Sequence, residues 1–343
     1  MSRKRIGFFT RLLDDVPAPE RYRLATAQIR HAEALGYHAA WVAQHHFNGA
    51  EGGLPSPFPF LSYVAAQTSR IRLGTGVVTL TMEDPVRVAE DAVVTDALSG
   101  GRLEIGVGSG GTPSSFTAFG RDFADRRGVY DAHLATLRKA WVGDALPGDN
   151  RLYPAAAGLD QRVWQATFSV GGGIKAGQDG DGLLLSRTQP RPKDTPLASL
   201  ADLQLPIVEA YHANLPSGVA PRILASRSVF VADTRAEAWA LAEVGLRKVA
   251  QHFQSVGHVF PGDTLDDLIF AMDCHVGTPE EVAESLAADR VLDHATEIAV
   301  QVHSVDPPHD FILRSIELFA TQVAPALGWI ETPYPACLRA AAV

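Results

Sequence analysis

The sequence predicts a single (β/α)8 TIM barrel over residues 1–343, with insertions in the loops of its C-terminal face. Two observations carry this expectation. Short apolar runs alternate with amphipathic stretches along the chain, the pattern of repeated βα units on a parallel sheet. With 343 residues, 46% hydrophobic and 20% charged, the chain can bury one sizeable core without a second domain.

RIGFF (5–9) reads as the first strand. Residues 21–35 follow as a helix, because Ala25, Ile29, Ala32 and Leu35 recur three or four apart and Gly36 stands where a helix would stop. HAAWVA (38–43) is the second strand, PFPFLSYVAAQTS a helix and IRLGTGVVTL (71–80) the third strand. Asp84 then supplies an N-cap and Pro85 the first position of a helix with Val86, Ala89, Val93 and Ala97 on one face, closed by Ser99, Gly100 and Gly101. LEIGV (103–107) is the fourth strand, followed by a helix over about 128–141. RVWQAT (162–167), a helix from near Gly172, GLLLS (182–186), ILASRSVFVA (223–232) and EIAVQVH (297–303) complete about eight strands, all but the last connection reading as crossovers. The Pro-rich stretch within 188–200 and residues 254–277 break the rhythm and read as insertions at the mouth, where βα loops gather.

A formal charge of −9 argues against a nucleic-acid or anionic membrane surface, since both draw on clustered Lys and Arg. The opening MSRKRIGFFTRLLDD is too interrupted by charge for a secretory signal or a membrane span, so a cytoplasmic protein is expected. Cys274 and Cys337 are far apart and lack a CxxC partner, which argues against a disulfide framework and a cysteine metal site.

Four features carry chemistry. Gln44, His45, His46 and Phe47 follow the second strand, where a histidine points into the mouth and can exchange a proton near neutral pH; one of the pair can equally be a packing residue. No HExxH or HxH spacing supports a zinc site, and no metal is expected. GVGSGG (106–111) satisfies GxGxxG, but TPSSFTAFGRDF does not read as an opening helix, so a loop lying close to a flat ligand is expected instead of a dinucleotide turn. TFSVGGGIKAGQDG (167–180) is a Gly-rich turn whose N–H groups, with the Thr167 and Ser169 hydroxyls, could hold a phosphate; a flexible turn without a ligand is the alternative. Gly74 and Gly76 interrupt a β-branched strand, marking either a close approach to a ligand or a kink.

WVAQHHF, IRLGTGVVTL, DPVRVAEDAVVTDALSGGRLEIGVGSG and TAFG resemble, in order and spacing, the N-terminal half of the bacterial luciferase-like flavin-dependent monooxygenases. The likeness weakens past Trp141 and returns in VWQATFS, SRSVFVADTRAEAWALA and VGTPEEVAESL. It implies an enzyme that receives reduced FMN from a separate flavin reductase and inserts one atom of dioxygen into a small organic substrate through a flavin 4a-hydroperoxide, as a homodimer. A deazaflavin-dependent oxidoreductase and a non-catalytic flavin-binding barrel are the alternatives.

The resemblance further implies that His45 is the catalytic proton manager beside the isoalloxazine, that Gly76-Val77 is a non-prolyl cis peptide behind the ring, and that Gly108 lies near the ring. It aligns Ser169, Gly171, Gly172 and Gly173 with the flavin-phosphate turn. Two positions depart: Gln44 replaces a Glu in the pocket, and Ser109 replaces a frequent phosphate-binding Arg, leaving Ser109, backbone N–H groups and Lys175 or another cation to hold the phosphate.

Overall fold

The computed structural model describes residues 3–331 except Val256 and 303–305. Cys337 and His303, named above, lie outside the described residues. Ten strands form one sheet: β1 (Arg5–Thr10), β2 (Ala39–Val42), β3 (Arg72–Thr75), β4 (Val78–Thr79), β5 (Leu103–Gly108), β6 (Val163–Ala166), β7 (Gly182–Leu185), β8 (Ile223–Val231), β9 (Cys274–Gly277) and β10 (Glu297–Gln301). All their pairings are parallel, in the order β1-β2-β3-β5-β6-β7-β8, and β10 closes the ring by pairing with both β8 and β1.

The barrel therefore has eight staves. The expected strand over 71–80 is one stave in two pieces, β3 and β4, on either side of the cis peptide Gly76-Val77. Because β10 runs parallel to its neighbours, the last connection is a crossover as well, contrary to the sequence reading. Part of the expected insertion at 254–277 is ordered secondary structure: a helix Leu265–Ala271, then β9, which extends the sheet beside the end of β8.

The helices follow the punctuation in the sequence. Asp84 caps Pro85–Ser99 by accepting from Val86 N at 2.9 Å and Arg87 N at 3.1 Å, and Gly100 ends that helix at φ 70°, a conformation glycine adopts without steric cost. The first helix, Ala18–Ala34, starts before the expected position and buries Ala25, Ile29 and Ala32 against the sheet. A short helix, Pro113–Ala118, does open after the GVGSGG loop, where none was expected, with Pro113 in its first turn.

The larger core lies between sheet and helices, and a second cluster fills the inside of the ring. There Trp41 and Trp164 meet edge to face, 5.6 Å between centroids and 84° between planes. Trp41 Nε1 donates to Glu297 Oε1 at 2.7 Å, and Trp164 Nε1 to Glu104 Oε2 at 2.8 Å; Glu104 also pairs with Arg72. A Cβ on Gly74 would overlap the Trp41 ring and one on Gly182 the Trp164 ring, so Gly74 makes room for an indole, not for a ligand.

Burial pushes the Glu297 carboxyl up to about 7, with repulsion from Glu104 adding to this and the Trp41 bond opposing it. An unfolded Glu ionises near 4.5, so the folded state binds the proton more tightly. Stability from this group is complete below 4.5 and is lost as pH rises towards 7, by a difference of about 3 kcal/mol. Glu297→Gln keeps an amide oxygen for Trp41 and is expected to flatten the decline in Tm across that window. Thermal unfolding of both proteins over the same pH range checks this, and parallel curves would remove Glu297 from the account.

Candidate active site

A cavity of about 340 Å3 opens at the C-terminal ends of the barrel strands, a size in the range of small-molecule sites. Its floor lies directly above the tryptophans, since inward-facing residues along a strand recur every second position. Ala43 stands two residues beyond Trp41, and Ala166 two beyond Trp164; with Phe9 and Leu184 they make an apolar base.

The wall divides into two arcs. On the β2, β3 and β6 side its inner part is small and apolar, made by Ala43, Gly76, Val77 and Ala166, with His45, Thr167 and Phe168 at the edge. On the β7, β8, β10 and β1 side it is polar, with Ser186, Arg187, Ser226, Gln301 and Arg11.

His45 lines the cavity at the end of β2. Its backbone N–H donates to Leu54 O at 3.0 Å, and its Nδ1 lies 3.8 Å from Glu51 Oε2. The nearby His45 imidazole is the largest influence holding the Glu51 carboxyl below its usual range. Gly52 packs so closely on the ring that a Cβ there would overlap it. The neighbouring residues go elsewhere, as the two-residue period requires. Gln44 is absent from the cavity lining: its Oε1 accepts from Thr79 N at 2.7 Å and its Nε2 donates to Pro55 O at 3.0 Å and Glu83 Oε1 at 2.6 Å. His46 stacks edge to face on Phe119, 4.8 Å between centroids, so it is the packing member of the pair.

Thr167 lines the cavity and Ser169 N-caps the helix Val170–Gln178, accepting from Gly172 N at 3.2 Å. Ser169 N in turn donates to Thr167 Oγ1 at 3.0 Å. Gly171 sits exposed in the first turn, and among the described residues the first-turn N–H groups of Val170 and Gly171 have no protein acceptor. Gly172 is needed because a Cβ would overlap Thr167 Oγ1. Gly173 serves packing, since a Cβ would press on Ile207 O of the adjacent helix Leu200–Asn214. Lys175, considered above as a phosphate partner, lies 3.3 Å from Asp179 and 3.6 Å from Asp131. Gly108 abuts the Val77 side chain behind the wall, and the Ser109 carbonyl accepts from Thr81 Oγ1 at 3.1 Å; neither residue lines the cavity.

Sequence reading missed Arg11, Arg187 and Gln301. Arg11 follows β1 at once, two positions beyond inward-facing Phe9, so the strand-end rule that selects His45 would have found it. His252 and His258 come from beyond β8 to line the same cavity. Burial pushes His258 below its usual range, and its Nδ1 is 3.0 Å from Ala271 O.

Comparison with known proteins gives one family. The sequence pattern of the family described as luciferase-like monooxygenase matches residues 6–293. A 4-hydroxyprotoasukamycin monooxygenase of Streptomyces nodosus subsp. asukaensis is 42% identical over 112 residues, 33% of this chain and 30% of that protein. The matched stretch thus spans about a third of that relative. Among solved structures, the oxygenating constituent of 3,6-diketocamphane monooxygenase from Pseudomonas putida, in complex with FMN, superposes with TM-score 0.73 at 17% identity, covering 97% of this chain and 99% of the other. The coenzyme F420-dependent tetrahydromethanopterin reductase of Methanopyrus kandleri superposes with TM-score 0.67 at 16% identity, covering 95% and 99%. At such identities the two structures establish the shared fold.

The two mouth insertions are tied together by charge. Arg191 pairs with Asp273, its Nη1 donating to Oδ2 at 2.7 Å, and Thr188 Oγ1 donates to the same Oδ2 at 2.6 Å; both members of the ion pair are buried. Asp273→Ala strands the arginine, and breaking one side of such a pair costs about 3–5 kcal/mol. Urea unfolding is expected to show that loss, whereas a change under about 0.5 kcal/mol, the size typical of surface substitutions, would mean the pair does not hold the insertions.

Proposed function

This chain belongs to the luciferase-like monooxygenase family, and from that premise we propose that it is an FMN-dependent monooxygenase acting on a small organic substrate, with reduced FMN delivered by a separate flavin reductase. The observation that carries the reading is the two-sided cavity at the barrel mouth, with His45 at its rim and an open helix N-terminus beside it. These residues fit a flavin. Phe9, Val77, Ala166 and Leu184 offer a flat apolar bed for a ring system, and the N–H groups of Val170 and Gly171 with the Thr167 and Ser169 hydroxyls offer donors to a phosphate without a cation.

When bound, the flavin supplies the activation of dioxygen, one oxygen atom passing to substrate and the other leaving in water. The protein's own part is narrower. The apolar bed excludes water. His45, oriented by Glu51 and wedged by Gly52, holds and moves a proton at its imidazole. Gln44 is a positioning residue that fastens the end of β2 to Thr79, next to Val77 and Val78. Gly76, Val77 and Gly108 keep that side of the pocket thin, Ser109 fastens the neighbouring loop, and Gly172 and Gly173 let the phosphate turn pack closely.

A second reading is favoured by the F420-dependent neighbour: the same bed could hold a deazaflavin that passes hydride to the substrate without dioxygen. Mixing the protein anaerobically with reduced FMN and then admitting air separates the two. Reappearance of oxidised-flavin absorbance is expected to be slower than for free FMN. Binding failure, or reoxidation at the free rate, would move the assignment to the deazaflavin enzyme. His45→Ala is expected to lower turnover of an accepted substrate by about 100-fold, the scale of one lost proton-transfer group, while FMN affinity is unchanged. Gly52→Ala, which crowds the His45 ring, should give a smaller loss in the same direction; full turnover in both variants would end the role of His45.

A further inference from the structure

The polar arc of the cavity is the part that the flavin reading leaves without a task. Arg11 stands one residue beyond β1 and Arg187 two beyond β7, on staves separated by β8 and β10. Their side chains nevertheless converge. Gln301, the last residue of β10, presents its amide oxygen to both, accepting from Arg187 Nε at 3.1 Å and Arg11 Nε at 3.3 Å. Arg11 Nη1 also donates to Glu51 O at 3.1 Å, and Arg187 Nη1 to Ser228 Oγ at 3.2 Å, so both guanidinium planes are fixed.

Two guanidinium groups desolvated side by side repel each other. Burial, with repulsion from Arg187, pulls Arg11 down to about 9, and burial likewise lowers Arg187. The acidic groups that act against this, Asp306 and Glu51 on Arg11 and Cys274, Asp306 and Asp273 on Arg187, are not among the cavity-lining residues. Among the described residues the lining thus carries two guanidinium groups, the imidazoles of His45, His252 and His258, no carboxylate, and apolar neighbours: Phe9 and Leu184 below, and Phe253, whose ring centroid is 5.6 Å from Arg187 Cζ.

We infer that the substrate of this site is an organic acid, an apolar body whose carboxylate is received by Arg11 and Arg187 on the β1–β7 side while its remainder faces the flavin bed. The inference rests on the reading that this cavity is the substrate site. A planar carboxylate matches the fork of a guanidinium, and a pair of guanidinium groups held in place by Gln301 is preorganised for it. Among the described residues no guanidinium lines the β2, β3 and β6 side, where the wall is Ala43, Gly76, Val77 and Ala166 with His45, Thr167 and Phe168.

The test compares acids with their neutral amides on the full chain, with and without FMN, by isothermal titration calorimetry: octanoate against octanamide, and phenylacetate against phenylacetamide. At least one acid is expected to bind about tenfold or more tightly than its amide, the scale of one hydrogen bond to a charged group. Arg11→Met and Arg187→Met are each expected to abolish that preference while FMN affinity, read by flavin fluorescence, is unchanged. Three results would overturn the inference: acid and amide binding alike or not at all; a preference that survives both substitutions; or FMN affinity falling together with acid binding, which would give the arginines to the cofactor. Inorganic phosphate competing as well as the acids would also overturn it, by making the site one for the flavin phosphate. Slow reoxidation of FMN is read separately, so loss of the monooxygenase assignment and loss of the acid site are told apart.

Discussion

The structure above depends on how the inside of a closed parallel barrel is filled. Two indoles occupy it, Trp41 from β2 and Trp164 from β6, and each is satisfied by a buried glutamate, Glu297 and Glu104. Both carboxylates are desolvated, and what offsets this is donation from the indole N–H groups and, for Glu104, its pairing with Arg72. The tryptophans need glycine opposite them, which they find at Gly74 and Gly182. Their height in the barrel then sets where open space begins. On β2 and β6 the sequence steps from tryptophan to alanine at the next inward position, so the filled layer gives way at once to the cavity floor.

The same two-residue step accounts for what the sequence could and could not disclose. Phe9 to Arg11, Trp41 to Ala43 and on to His45, Leu184 to Ser186, and Ala299 to Gln301 all follow it, so an inward parity assigned to each strand would have placed these residues at the mouth. Gln44 and His46 lie on the opposite parity. That is why the side chain of Gln44 is spent on Thr79, Pro55 and Glu83, and why His46 packs on Phe119. Arg187 obeys no such rule. It is out of step with Leu184 and Ser186, and enters the cavity only after β7 has ended. Its meeting with Arg11 joins residues 176 positions apart, which no local pattern encodes.

Glycine was the least legible signal, because one residue type answers several different needs. Gly74 clears an indole and Gly100 takes a left-handed conformation at a helix end. In the Gly-rich turn, Gly173 and Gly177 let the helix Val170–Gln178 lie against the carbonyls of Ile207 and Tyr211, while Gly171 has open space around its α-carbon. Only the last is free of a packing duty, so the turn's composition reports helix packing as much as ligand binding. Barrel closure was legible, as repeated βα units, and the break of one stave into β3 and β4 falls at Gly76, one of the two glycines that interrupt this strand in the sequence.

The two arcs of the cavity differ in what supports them, and this bears on how such a site can change. The apolar arc is made by strand ends and by the turn after β6, positions held by the barrel itself. The polar arc is roofed by the insertions: Thr188, Gln189 and Pro190 from one, and His252, Phe253 and His258 from the chain beyond β8, with Arg191 and Asp273 locking the two together and Phe253 lying against Arg187. A substitution in the insertions can therefore move the charged side of the cavity without disturbing the bed formed by Phe9, Val77, Ala166 and Leu184. On the proposed assignment, cofactor geometry is a property of the fold, and substrate choice a property of the loops and of the strand ends that face them.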